Sequence, residues 1–246
     1  MIFGTIEKWG DDGHALKGNG TGIQNAIEVG FDTFDTAPGY LNEKEVGEGL
    51  EGEPFFQIQS KLDYFKWGYE NVIEEFEKSS EHLSITTYLI HWPVLPLKEL
   101  KETWRAFEYL KNEKQVEKIG VCNFTVNHLH KLLDICEIPP DINQFELNIF
   151  CQNDELIDEC KKHNIEVQSY SSIVRGKPIM PGISVEDMLD WLITKGVNPV
   201  IRSTNKGRLI KMLSLKGSLT ERALERCKDY DRQYRLCPDP NTMGKW

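Results

Sequence analysis

Two rhythms of apolar and polar residues alternate along the chain. Short runs rich in Ile, Val, Phe, Thr and Tyr, at 2–6, 31–35, 55–62, 86–92, 116–124, 141–148, 166–173 and 198–204, have the composition and length of β-strands. Between them the apolar residues recur every three or four positions. Examples are Tyr69, Val72, Ile73, Phe76 and Leu83, then Leu97, Leu100, Trp104, Phe107 and Leu110, then Val126, Leu129, Leu132, Leu133 and Cys136. That spacing gathers them on one face of a helix. Further helices are expected at 23–29, 43–50, 154–163, 184–195 and 206–213, with Asn42 placed to open the second of these. Eight strand-helix units in regular alternation require a parallel sheet. With no linker or shift of composition, they predict a closed (β/α)8 TIM barrel, a single α/β domain over 1–246. Residues 219–246 add a charged helix and a Cys-Pro-Asp-Pro coil, expected to pack back on the barrel.

Length agrees with this, since the 246 residues match the roughly 250 that one such barrel needs. The formal charge of −10, from 29 Lys and Arg against 39 Asp and Glu, argues against a nucleic-acid partner, whose phosphates demand a basic face. No apolar run reaches the roughly 20 residues of a membrane span, and no secretion signal precedes the first strand. The six cysteines, at 122, 136, 151, 160, 227 and 237, form no C-x-x-C pair and no metal-ligand spacing. They read as free thiols of a reducing compartment, which makes the cytoplasm the expected location.

A barrel places its chemistry at the C-terminal ends of the strands, where the βα loops converge. Nearly every predicted strand closes on a polar residue there: Asp35, Lys61, His91, Asn123, Gln144 with Glu146, Ser169 to Ser171, and Arg202 with Ser203. Taken singly, each is an ordinary solvated terminus; Asp35 would cap a turn, and Tyr40, just beyond it, would cover an apolar edge. In a barrel they share one volume. Two glycine-rich stretches count for less. Gly47 to Gly52 satisfies G-x-G-x-x-G but lies at a helix end and runs into acids, so it reads as a helix C-terminus rather than a dinucleotide turn. The 18–22 run lacks the Gly-Lys-Ser/Thr of a P-loop and reads as a flexible loop.

The motifs FDTAPGYLNEKEVG, Ser60-Lys61, YLIHWP, KIGVCNF, INQFELN, QSYSS and VIRSTNKGR occur in the order found in aldo-keto reductases, and over nearly the whole chain the sequence resembles that family. The resemblance implies NADPH-dependent reduction of aldehydes or ketones by a monomer, with Asp35, Tyr40, Lys61 and His91 as the catalytic set. Tyr40 would be the proton donor, and since a free phenol titrates near about 10, Lys61 would be needed to lower that value. Asp35 would hold the lysine in place, and His91, beside an aromatic wall at Trp92, would orient the carbonyl. Tyr170 would lie against the nicotinamide, with Asn123 and Gln144 on its carboxamide. Ser171 and Asn205 would also bind the cofactor. Arg202, Ser203 and Arg208 would grip the 2′-phosphate, since guanidiniums at a helix N-terminus suit a dianion.

The chain also departs from the family pattern. Cys122 stands where serine is common, and Lys211 and Met212 stand where Glu and Asn are frequent. The N-terminal hairpin is missing or reduced, and the segments 92–96 and 171–184 are short, which predicts an open site. Two rival readings stay open from the residues: an NADPH-binding regulatory barrel without turnover, and a barrel enzyme using Lys61 as a Schiff base.

Overall fold

The computed structural model describes residues 1–6, 8–9, 15–16, 22–52, 55–93, 96–176 and 182–242. Strand β1 (Ile2–Gly4) is followed by a small antiparallel pair, β2 (Lys8–Trp9) and β3 (Ala15–Leu16). Then come α1 (Ile23–Val29), β4 (Thr33–Asp35), α2 (Glu43–Leu50), β5 (Gln57–Leu62), α3 (Tyr69–Ser80), β6 (Thr87–Ile90) and α4 (Leu97–Asn112). The chain continues through β7 (Lys118–Cys122), α5 (Val126–Leu133), β8 (Ile142–Glu146), α6 (Asp154–Lys162), β9 (Glu166–Tyr170), α7 (Val185–Thr194), β10 (Asn198–Ile201), α8 (Lys206–Leu213) and α9 (Glu221–Cys227). Eight parallel strands close into one barrel in the order β1-β10-β9-β8-β7-β6-β5-β4, with β1 pairing β4 to complete the ring. This is the expected (β/α)8 fold. Among the described residues no helix is long and apolar enough to cross a membrane.

The ladders are shorter than the apolar runs that announced them, and the cause lies at their ends. Asn123, directly after β7, has φ 64°, and Ser171, directly after β9, has φ 52°. Both turn the chain out of the sheet directly after the strand, in a conformation Asn tolerates better than most side chains. Leu83 and Cys136 likewise fall beyond the ends of α3 and α5; Leu83 is buried by the loop that carries it. Asn42 precedes α2 but does not cap it through its side chain. Its amide donates instead to the Thr5 carbonyl at 2.9 Å and ties the β1 and β4 loops together.

Between helices and barrel the packing is apolar and aromatic. Trp104 stacks on Phe107, Phe107 on Tyr88, and Phe76 meets Tyr88 edge-on, so α3 and α4 bear on β6 through four rings. The G-x-G-x-x-G stretch is structural as expected: Gly47 and Gly49 lie within α2. The 18–22 run lies outside the described residues except for Gly22, as do 94–95 and 177–181 in the two loops read as short. Gly47 has a clear physical reason, because a Cβ there would lie 1.9 Å from the backbone oxygen of His82. Backbone cannot yield as a side-chain tip can, so α2 itself would have to move. Gly47→Ala is expected to destabilise the fold by about 1–3 kcal/mol, in the range of overpacked cores, as a fall in the urea midpoint at unchanged m-value.

Candidate active site

Period-two alternation along each strand decides which side chains enter the barrel, and a run of polar ones does. Register sets Asp35 beside Gln59, Cys122 beside Gln144, Gln144 beside Gln168, and Glu146 beside Tyr170. Lys61 and Asp35 form a buried ion pair, with side chains 1% and 4% exposed. The ammonium lies 2.9 and 2.8 Å from the two carboxylate oxygens, donates to the Thr36 carbonyl at 2.8 Å, and reaches the Tyr40 hydroxyl at 3.3 Å. An ammonium so surrounded offers no lone pair for a Schiff base.

Asp35 Oδ1 accepts two further hydrogen bonds, from the Gln59 and Gln144 side-chain amides, at 2.5 and 2.9 Å. The same two nitrogens lie 3.0 and 3.1 Å from Gln168 Oε1. Gln168 in turn donates to Glu166 at 3.1 Å, which also accepts from Asn198 at 3.1 Å and Lys118 at 3.3 Å. Burial alone would raise the Glu166 pKa, but hydrogen bonds from Gln168, Asn198 and Lys118 outweigh it and the net direction is down. A polar thread therefore runs from the ion pair to the opposite end of the barrel.

Above the pair opens a cleft of about 840 Å³. Its floor and one wall are Asp35, Tyr40, Tyr64, His91, Trp92 and Cys122. Asn123, Gln144, Tyr170 and Ser171 follow, and Arg202, Ser203, Arg208, Lys211 and Met212 line the far end. Thus all but one of the site residues expected from sequence either line this cleft or, as with Lys61, lie directly beneath it. Asn205 is the exception: its side chain accepts from the Arg208 amide at 3.0 Å and caps α8. Asn123 donates to the His91 carbonyl at 3.0 Å and accepts from the Tyr170 hydroxyl at 2.5 Å, which locks those two residues together.

One expectation is corrected. Lys61 does not lower the Tyr40 pKa on balance. Burial, and then the Asp35 charge, push it well above the ordinary phenol value. The reason is that the ammonium is already neutralised by Asp35 at contact distance, so the pair presents little net positive charge to the phenol. His91 moves the other way: burial, with Lys61 second, holds it well below the ordinary histidine value, so its ring is neutral at pH 7.

Several contributors were not picked out in the sequence, and for Glu146, which was, the partner was not. Gln59 and Gln168 lie two residues before Lys61 and Tyr170 on the same strand faces, and that periodicity was the available signal. Glu146, buried at the end of β8, accepts from the Leu236 and Cys237 amides at 2.6 and 3.0 Å. These two bonds hold residues 236 and 237 at the end of β8, and Cys237 lines the cleft. Nothing local to Glu146 announces a partner about ninety residues away.

The Aldo/keto reductase family model matches residues 11–177. The chain is 34% identical over 243 residues to the 9,11-endoperoxide prostaglandin H2 reductase of Trypanosoma cruzi, covering 90% of this chain and 85% of that protein. It is 31% identical over 241 residues to the glyoxal reductase of Bacillus subtilis, covering 90% and 86%. Among solved structures, a Gox0644 variant in complex with NADPH superimposes with a TM-score of 0.85 at 28% identity, covering 98% of this chain and 93% of that one. Replacing Asp35 by Asn leaves the Lys61 charge buried without its counter-ion. Asp35→Asn is expected to destabilise the fold by about 3–5 kcal/mol, the usual cost of breaking a buried pair, measured as a lowered unfolding midpoint.

Proposed function

The chain belongs to the aldo/keto reductase family, and from that premise we propose that its cleft takes small aldehydes, 2-oxoaldehydes among them, with Tyr40, Lys61, Asp35 and His91 as the groups that act on the carbonyl. The reaction is NADPH-dependent reduction of an aldehyde or ketone to an alcohol. The observation that carries the residue assignment is the Lys61 ammonium, held 2.8 Å from Asp35 and 3.3 Å from the Tyr40 hydroxyl on the floor of the cleft. The substrate class is supported by a relative at 31% identity that is a glyoxal reductase.

Reduction needs a proton at the oxygen where negative charge develops. Tyr40 is the donor: burial and Asp35 keep it protonated, and Lys61, hydrogen-bonded to its oxygen, steadies the charge that appears there as the proton leaves. The neutral imidazole of His91 contributes a hydrogen-bonding group without a competing charge. Trp92 is the aromatic wall that keeps water from the carbonyl.

The residues present fit NADPH. At the far end of the cleft, the Arg202 and Arg208 side chains and the Ser203 hydroxyl gather near the N-terminus of α8, a donor set suited to a dianionic phosphate, with Lys211 on the last turn of the same helix. At the near end, Tyr170 offers a ring and Asn123 and Gln144 offer amides for the nicotinamide. The cofactor when bound supplies the hydride. Gln144 serves two partners in this arrangement, since its nitrogen is held by Asp35 and Gln168 while the residue still borders the cleft. The site is completed within one chain by its own tail, which supports action as a monomer. All six cysteines are free, which supports a cytoplasmic location.

Two outcomes are expected. Tyr40→Phe lowers kcat for glyoxal-type aldehydes by about 10²–10⁴, the usual range for removing a general acid, with NADPH binding retained by fluorescence titration. Retained turnover in that variant would refute the role of Tyr40. In wild type, kcat/KM for reduction is flat from about pH 6 to about pH 9, because neither Tyr40 nor His91 changes charge in that window; an ionisation near neutrality would contradict both assignments.

A further inference from the structure

His91 is held in an unusual way. Its ring is buried, yet among the described residues its Nδ1 has no hydrogen-bond partner. Orientation of a functional imidazole ordinarily comes from a hydrogen bond at the nitrogen that does no chemistry. What touches the ring instead is aromatic. Tyr64 stacks on it with ring centroids 4.6 Å apart and planes 25° from parallel, and Tyr40 meets it edge-on at 5.9 Å and 81°.

Tyr64 is itself fixed from several sides. One edge lies over Gly39, where a Cβ would come within 2.7 Å of Tyr64 Cε2. Trp92 lines the same small pocket beside it. The next residue, Phe65, takes φ 59°, and Leu41, which follows Tyr40, takes φ 57°. A bulky side chain in that left-handed region is costly and persists only where surrounding packing demands it. Both tyrosines that contact His91 are therefore followed by the same demanding turn.

We propose that Tyr64 is a positioning residue for His91: its stacked ring sets the plane of the imidazole and shields one face from water, the task a hydrogen bond at Nδ1 would otherwise perform. The role rests on the reading that His91 orients the carbonyl. The titratable groups around His91 are Asp35 from β4, Lys61 from β5, Asp63 and Tyr64 just after it, Tyr40, Cys122 at the end of β7, and Cys237 of the tail. Of these, Lys61 bears on the imidazole charge, in the same direction as burial.

The test compares Tyr64→Phe and Tyr64→Leu with wild type in complex with NADP(H). Tyr64→Phe keeps the stack and is expected within about twofold of wild type in kcat. Tyr64→Leu is expected to lose kcat by about tenfold or more, as misplacement of a reacting group does, with NADPH affinity unchanged. In the same variant, NMR of the histidine ring is expected to show His91 titrating near about 6.5, with a matching acid limb in kcat/KM, where wild type shows neither. Gly39→Ala, which pushes the Tyr64 ring off its seat, is expected to give the same His91 titration should Tyr64→Leu not fold. A Tyr64→Leu enzyme with wild-type kcat and a non-titrating His91 overturns the proposal. Should wild type bind NADPH but reduce no aldehyde, the functional reading fails separately, and the His91 titration still decides whether Tyr64 positions the ring.

Discussion

The buried pair of Asp35 and Lys61 is the constraint around which the upper half of the barrel is arranged. Taking two charges out of water costs several kcal/mol each, and their attraction offsets this only when geometry is good and the remaining valences are satisfied. Here the ammonium has both carboxylate oxygens and a backbone carbonyl, and the carboxylate has two amides besides the ammonium. Those amides then need acceptors and donors of their own. Gln168 and Glu166 follow as the continuation of the requirement, until Lys118 and Asn198 close it where the barrel meets solvent. Apolar packing lies chiefly on the outside of the sheet, where Trp104, Phe107, Tyr88 and Phe76 stack, while Leu89, Cys122 and Ile142 form a small apolar cluster apart from it.

The same economy of partners organises the mouth of the cleft. Asn123 joins the end of β7 to the His91 carbonyl and the Tyr170 hydroxyl. Glu146 joins the end of β8 to the tail. A wall residue such as Cys237, in the coil beyond α9, therefore owes its place to a carboxylate buried in a strand. The strand ends supply rigid anchor points, and the loops and tail inherit position from them.

Much of this was legible in the chain. The bounds of α1, α2 and α8 agree with the apolar periodicity, because their faces are short, and α1 stops at a left-handed Gly30. Asp35, Lys61, His91, Asn123, Gln144 and Tyr170 stood out as polar or aromatic residues closing apolar runs. Tyr64, Gln59 and Gln168 did not, and Glu146 stood out only as a strand end without its partner, because each acts through a partner distant in sequence. Asp35 to Gln144 spans 109 residues and Glu146 to Leu236 spans 90. Asn42 was a plausible cap by type, and only the nearby Thr5 carbonyl explains its other use.

The Tyr40 pKa shows why pairwise reading fails inside such a site. Beside an isolated ammonium a phenol becomes more acidic; beside an ammonium that already holds a carboxylate it does not, and burial then decides the sign. That sign bears on direction. With Tyr40 in the role proposed above, reduction asks it to give up a proton that burial and Asp35 help it keep, and the cost of the resulting charge falls just where Lys61 can reach it, 3.3 Å away. Alcohol oxidation would ask the same residue to begin as a phenolate, against burial and against Asp35. In that proposed role, the electrostatics that look unfavourable for a proton donor considered alone are those of a group kept loaded for reduction, with Lys61 contributing most once the proton has begun to move.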